Sequence, residues 1–250
     1  MSNAASQLLL ESVLKRFNEE ASVGLVMGLQ AKDITCLPKL FGLLLASVAH
    51  QNDQVAKVSE AVFTNHPNLV ETSVRDISET ARRNYEPGGM ADALLFSRGV
   101  QAILAHRVAH QLWQEGKQSL ALAIKSTLGR ALGTDIHPAA KMGSGIWLDH
   151  GLGFVVGEMA VIEDNVSIWH NVTLGSTLSD SGSARHPTIK RGAVLGAGCF
   201  VLGGISVGEN AAVAAGAIVL ESVPAKQVVA GQKASLKGAT KVSFLPAAKA

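Results

Sequence analysis

The sequence predicts an α+β protein in which an N-terminal α-helical domain is followed by a parallel β-helix. Two observations support this prediction: apolar residues at helical spacing before residue 133, and an aliphatic residue that returns every six positions over most of Ile136 to Pro224. A six-residue period fits neither an amphipathic helix nor a two-faced strand, whereas short strands joined by tight corners bury one aliphatic residue per hexad. We therefore divide the chain into a helical cap (1–133), a β-helix (134–224) and a C-terminal tail (225–250).

The cap is predicted from apolar residues that recur three or four positions apart, which is typical of amphipathic helices. Pro and Gly separate these segments. Pro87-Gly88-Gly89 precedes a predicted long helix from Asp92 to Glu115, and a shorter helix from Ser119 to Leu128 leads into the repeats. A helical cap over the first coil protects the open end of a repeat array.

The hexads run in registers that are interrupted twice. Eight residues instead of six separate Leu148 from Val156, and fifteen separate Leu174 from Ile189, which predicts a bulge at the first place and a loop over 176–188 at the second. The repeat length predicts about five coils. Because an interrupted repeat usually has a functional reason, both interruptions are candidate sites.

Composition excludes several classes of function. A net charge of +2 provides no strong field for nucleic acid or a membrane surface. The apolar runs are too short for a membrane-spanning helix. The two cysteines, Cys36 and Cys199, are far apart and form no CxxC motif, so we expect neither a disulfide framework nor a thiolate metal site. This pattern fits a reducing cytoplasm, and we expect a cytoplasmic protein.

Two histidines lie at the interruptions. His150 follows Asp149 where the register slips, and His186 lies near the end of the long loop. A histidine with a near-neutral pKa is the natural general base for an alcohol, and a carboxylate can hold its tautomer and stabilise the imidazolium. Asp135 and Asp149 are both available for that role. His106 and His110 stand four apart on a helix, but no third ligand or HExxH motif accompanies them, so we predict no metal.

A series of motifs, in order along the chain, resembles the serine O-acetyltransferases. The motifs are Asp135-Ile136-His137-Pro138-Ala139-Ala140-Lys141, Leu148-Asp149-His150, Val156-Gly157-Glu158, Val172-Thr173-Leu174-Gly175, Arg185-His186-Pro187 and Gly196-Ala197-Gly198. Members of this family are hexapeptide-repeat acyltransferases with a helical N-terminal domain and a left-handed parallel β-helix. The resemblance implies transfer of acetyl from acetyl-CoA to the L-serine hydroxyl, giving O-acetylserine for cysteine biosynthesis.

The resemblance also implies roles for individual residues. His150 matches the general base, Asp135 the carboxylate that orients it, and His186 a second active-site histidine supplied by a neighbouring subunit. Asp149 would bind the ammonium of the substrate and Arg185 its carboxylate. The family assembles as trimers that pair into hexamers through the caps. Residues matching the CoA site are Gly175, Ser176, Ala197, Ala215 and Lys233.

Departures from the family pattern leave alternatives open. Asn84 stands where the family has an Asp that binds the substrate ammonium, and Glu86 is the candidate replacement two residues later. A related acceptor such as homoserine, a catalytically weak trimeric scaffold and a zinc hydratase on the same solenoid are therefore alternatives. The tail lacks the terminus by which the family docks into its sulfhydrylase, so we expect no stable complex with that partner.

Overall fold

A computed structural model describes residues 2–85, 87–177 and 184–239 of the chain. The described residues form a helical region followed by parallel strands, as the sequence predicts. No helix among them is long and apolar enough to cross a membrane. The helices are α1 (Ser2–Glu19), α2 (Ala21–Met27), a single 3-10 turn (Ala31–Asp33), α3 (Leu37–Val48), α4 (Asp53–Asn65), α5 (Pro67–Arg83), α6 (Gly89–Phe96), α7 (Arg98–Gln114) and α8 (Gln118–Leu132).

The predicted long helix from Asp92 to Glu115 is wrong, because the chain forms two helices there. Ser97 has an extended backbone and caps α7 by accepting a hydrogen bond from the Val100 N–H at 3.3 Å. A serine hydroxyl competes for backbone donors in this way, which ends one helix and begins the next. The break lets the start of α7 turn onto the first coil of the strands.

The strands form three sheets that enclose a narrow prism. Consecutive strands belong to different sheets, and each strand pairs in parallel with a strand one coil away. Sheet 1 contains β1 (Asp135–Ile136), β4 (Val155–Val156), β7 (Thr173–Gly175), β10 (Phe200–Leu202) and β13 (Ile218–Val219). Sheet 2 contains β2 (Lys141–Met142), β5 (Val161–Ile162), β8 (Thr188–Ile189) and β11 (Ser206–Val207). Sheet 3 contains β3 (Trp147–Leu148), β6 (Ser167–Ile168), β9 (Val194–Leu195), β12 (Ala212–Val213) and β14 (Val228–Val229).

The strand register explains the hexad pattern. The second residue of each strand in sheet 1 is aliphatic, buried and stacked on its equivalent one coil below. Each coil alone would expose that residue, whereas stacked coils bury it. Pairing continues past residue 224, where the sequence predicts a tail, because Ala212 pairs with Val228 in β14.

A buried ion pair joins the helical region to the first coil. Arg107 of α7 donates to the Asp76 carboxylate of α5 at 2.6 and 2.8 Å, and also to the Gly143 carbonyl at 2.7 Å. Asp76 accepts the Ile146 N–H at 2.9 Å. Burial raises the pKa of the Asp76 carboxyl, and the Arg107 guanidinium acts in the opposite direction. The pair thus links both helices to the turn between β2 and β3.

Candidate active site

The candidate site residues lie mainly at two corners of the prism. The His150 corner connects sheet 3 to sheet 1 and contains residues 149–154, 169–172, 196–199 and 214–217. The His186 corner connects sheet 1 to sheet 2 and contains residues 137–140, 157–160, the described part of 176–187, and 203–205. Sheet 1 separates the two corners within one chain.

His150 occupies the widened turn that the sequence predicts at the register slip. Its φ is +59°, a left-handed conformation that is uncommon for residues other than glycine, and the next N–H, of Gly151, donates back to the Asp149 carbonyl at 2.7 Å. The start of α7 supports this turn, because a Cβ at Gly99 would overlap the Leu148 carbonyl oxygen. Strained backbone that is held in place by its surroundings is frequent at functional sites.

The side chain of His150 is open to solvent. It is 70% exposed, and its Nε2 lies 3.5 Å from Oδ2 of Asp149, whose side chain is only 15% exposed. The ring of His170, one coil above, lies 5.5 Å from the His150 ring between centroids. The exposed ring and the neighbouring carboxylate make His150 the candidate general base of this corner.

Asp135 lies at the base of the same corner but is not paired with His150. Its N–H donates to the Phe154 carbonyl at 2.9 Å, which places the residue directly below β4. Its carboxylate instead forms an ion pair with Lys125 of α8. In this chain Asp149 lies against His150 and Lys125 lies against Asp135, and the predicted role of Asp135 beside His150 stays a prediction.

Two predicted CoA residues share the His150 corner, above the histidine. Ala197 and Ala215 stack on adjacent coils, and the Gly216 N–H donates to the Ala197 carbonyl at 2.9 Å. Their small side chains leave the backbone of the corner accessible along its length. Such a column of small residues can accommodate an extended ligand that runs past His150.

The His186 corner carries the remaining predicted residues of the loop. The Met159 N–H donates to His186 Nδ1 at 3.3 Å, so Nδ1 is the unprotonated nitrogen in that contact. The His186 ring lies over Gly157, where a Cβ would overlap it. Arg185 Nη2 lies 3.5 Å from Glu158 Oε2, and both side chains are substantially exposed. Gly175 and Ser176 follow at the end of β7 on the same corner.

Asn84, another predicted substrate residue, lies at the end of α5. Asn84 caps this helix, and its N–H donates to the Thr80 carbonyl at 2.9 Å. Its neighbour Arg83 donates to Ser167 Oγ at 2.9 Å, which anchors the end of α5 to sheet 3. Glu86 lies outside the described residues. Lys233 is exposed beyond β14.

Other titratable side chains are unsuited to proton transfer with a substrate. Burial lowers the pKa of His106 to about 3 and raises the pKa of Cys199 to about 12, so both are neutral at ordinary pH. His110 Nδ1 is 2.7 Å from the Pro138 carbonyl oxygen. Among residues 2–85, 87–177 and 184–239, no group of three His, Cys, Asp or Glu side chains could hold a metal ion.

Sequence reasoning missed Lys125 as a neighbour of Asp135. The lysine precedes the aspartate by ten residues, but the two belong to a helix and a strand whose relative placement no local pattern predicts. His170 was also not singled out from the sequence, and its position one coil after His150, twenty residues along the chain, was the available signal.

Comparison with known proteins defines the class and then the family. A helical region followed by a three-sided prism of parallel strands at hexad spacing is the architecture of hexapeptide-repeat proteins. No family model matches the chain. It is 44% identical over 216 residues to serine acetyltransferase 2 of Arabidopsis thaliana, covering 85% of this chain and 66% of that protein. It is 41% identical over 184 residues to serine acetyltransferase of Salmonella typhimurium, covering 74% of this chain and 67% of that protein.

A solved structure agrees with these relatives. Serine acetyltransferase of Brucella abortus in complex with coenzyme A matches with a TM-score of 0.82 and 34% identity, covering 94% of this chain and 95% of that one. The chain belongs to the serine acetyltransferase family. It spans slightly less than two thirds of the length of the Arabidopsis relative.

Proposed function

We propose that the protein is an acetyl-CoA-dependent O-acetyltransferase whose acceptor is L-serine. The observation that supports this most directly is His150, an exposed base held in a left-handed turn at the foot of a column of small residues. Relatives from a plant and a bacterium are named serine acetyltransferases, and the Brucella abortus neighbour was solved with coenzyme A. O-Acetylserine for cysteine biosynthesis is the product that follows from this proposal.

The proposed reaction is direct transfer in a ternary complex. His150 takes the proton of the serine hydroxyl while the hydroxyl oxygen attacks the thioester carbonyl carbon. The carbon–sulfur bond of the tetrahedral intermediate then breaks, and the imidazolium returns its proton to the departing thiolate of CoA. Asp149 binds the ammonium of serine and Arg185 binds its carboxylate. These contacts align the serine hydroxyl with His150.

We further propose that each site forms between two chains of a homotrimer. Asp149 and His150 lie at one corner of the chain, whereas Arg185 and His186 lie at another, with sheet 1 between them. The outer face of sheet 1 is apolar and exposed, including Phe200 at 42% and Ile218 at 67%. Packing this face against a neighbouring copy buries it and brings the two different corners together.

Further elements of the proposal concern architecture and cellular context. We take the β-helix to be left-handed, with a cap over 1–133, a catalytic domain over 134–224 and a tail over 225–250, and trimers to pair through the caps. Cys36 is an exposed free thiol, which suits a reducing cytoplasm. A crystal structure with CoA bound tests the handedness of the β-helix, the bounds of the three segments and the pairing of trimers.

Complementation between inactive variants tests the shared site. We expect His150→Ala and His186→Ala each to be inactive alone, and a mixture unfolded and refolded together to recover about one quarter of wild-type turnover. That fraction is the chance that a site in a cyclic trimer receives an intact residue from each side. A mixture that stays inactive, although it refolds to the same mass by light scattering, would mean that no site takes its two histidines from different chains.

The acceptor is tested with a panel of hydroxyl compounds. Losing one of two carboxylates around an ammonium costs about 1 to 3 kcal/mol, or roughly ten- to a hundredfold in transition-state stabilisation, unless Glu86 replaces the missing charge. We therefore expect either weak turnover of L-serine, or normal turnover that falls sharply in Glu86→Gln. CoA release is measured with L-serine, L-homoserine and related acids, and Glu209→Gln, which removes an exposed carboxylate from another corner, is the control. Strong serine turnover that is indifferent to Glu86→Gln would show that the Asn84 substitution has no consequence.

A catalytically weak trimeric scaffold remains the second candidate, because Ala212 stands where the family pattern has a basic residue near the adenine end of CoA. Calorimetry with CoA separates the two. Binding supports the enzyme, whereas absence of binding by the folded protein supports the scaffold.

A further inference from the structure

Lys125 forms an ion pair with Asp135, the carboxylate that is predicted to assist the general base His150. The ammonium contacts Asp135 Oδ1, and Asp135 is the one acidic group in contact with Lys125 among the described residues. His150 Nε2 lies 3.5 Å from Asp149 Oδ2, whereas the Asp135 carboxylate contacts Lys125. Asp135 and His150 nevertheless share one corner, and the contact with Lys125 occupies the carboxylate that the family resemblance assigns to the base.

The position of Lys125 favours the ion pair. Its side chain is 25% exposed and lies between the helical region and the first coil, whereas Asp135 is 62% exposed. On its inner side Lys125 borders a cavity of about 20 Å³ that it shares with His106, which is neutral and offers no competing negative charge. On its outer side it borders an open cleft of about 460 Å³, together with Arg130 and Asp135. Restricted solvent on one side strengthens the attraction to the single nearby carboxylate.

We propose that Lys125 restrains catalysis by holding the Asp135 carboxylate away from His150. This rests on the proposed function, because it concerns the carboxylate that would orient the base. An imidazole with a carboxylate partner keeps the correct tautomer and is stabilised when it accepts a proton. Each turnover that uses Asp135 must first break its contact with Lys125, so Lys125 acts on the reaction through Asp135 and is a positioning residue.

Kinetics of Lys125→Gln test the restraint. We expect kcat to rise by about two- to fivefold, the range that a partly exposed ion pair can contribute, with the KM values for serine and acetyl-CoA unchanged. Lys125→Arg keeps the charge and the contact and should behave as wild type. Arg130→Gln is the matched control, since it removes a positive charge from the same cleft and Arg130 forms no ion pair among the described residues. An unchanged or lower kcat in Lys125→Gln overturns the proposal, as does an equal rise in Arg130→Gln.

A measurement without turnover keeps the inference testable if the chain transfers no acetyl group. The ¹⁵N signals of the His150 ring, assigned by comparison with His150→Ala, are recorded for a double-mutant cycle of Asp135→Asn and Lys125→Gln. We expect Asp135→Asn to shift these signals more in the Lys125→Gln background than in wild type. If Asp135→Asn shifts the His150 signals equally in both backgrounds, the restraint by Lys125 is overturned. If the shifts are unequal but the protein transfers no acetyl group, the proposed function is rejected and the restraint is retained.

Discussion

Replacing His150 with alanine is expected to lower kcat by about two to four orders of magnitude, the usual contribution of a positioned general base. The side chain is exposed and lies outside the apolar core, so its removal leaves the fold intact. The left-handed backbone at this position is costly for alanine as well as for histidine, and the change in stability is therefore small. The measurement is release of the CoA thiol with serine as acceptor.

Two controls separate loss of the base from loss of the site. CoA binding by calorimetry should match wild type in His150→Ala, since the column of Ala197 and Ala215 is untouched. His50→Ala changes a histidine at the end of α3 and should keep full turnover. Full turnover in His150→Ala would assign the proton transfer to another group.

Replacing Arg107 with methionine is expected to destabilise the protein by about 3 to 5 kcal/mol, the cost of leaving one partner of a buried ion pair alone. Arg107 and Asp76 are 5% and 2% exposed, and the arginine also donates to the Gly143 carbonyl. The variant leaves a buried carboxylate without its countercharge and a carbonyl without its donor. Urea unfolding followed by circular dichroism measures the difference, provided that the transition is two-state.

The double variant Arg107→Met with Asp76→Leu distinguishes the pair from simple packing. Removing both charges should recover much of the lost stability, because apolar replacements of a buried pair are often neutral. Arg82→Met is the surface control, since Arg82 pairs with Glu79 while largely exposed, and its stability should stay close to that of wild type. If the double variant is no more stable than Arg107→Met, the loss of stability comes from the lost side-chain volume and not from the unpaired charge.

The parts of the fold that the sequence predicts are those determined by local periodicity. The buried residue of each hexad, the widened turn at His150 and the break after Leu174 are all visible as spacing, because each coil repeats the same corner chemistry. The split at Ser97 was not predicted, since serine is tolerated within helices and only its contact with the Val100 N–H ends α6 there. Glu86 lies outside the described residues, so its predicted role stays a prediction.

By itself the sequence determined the hexad repeat and its two interruptions, and the fifteen residues between Asp135 and His150, less than one coil, indicated that the two could lie on neighbouring edges. Only the tertiary structure decided which charges they meet. Lys125 approaches from α8 and contacts the carboxylate that the family resemblance assigns to His150, while Asp149 lies 3.5 Å from the histidine. The separation of His150 and His186 at different corners was likewise decided by the order of sheets around the prism. Periodicity specifies which residues face inward, whereas ion pairs depend on long side chains from separate elements, whose meeting requires the packed helices and coils together.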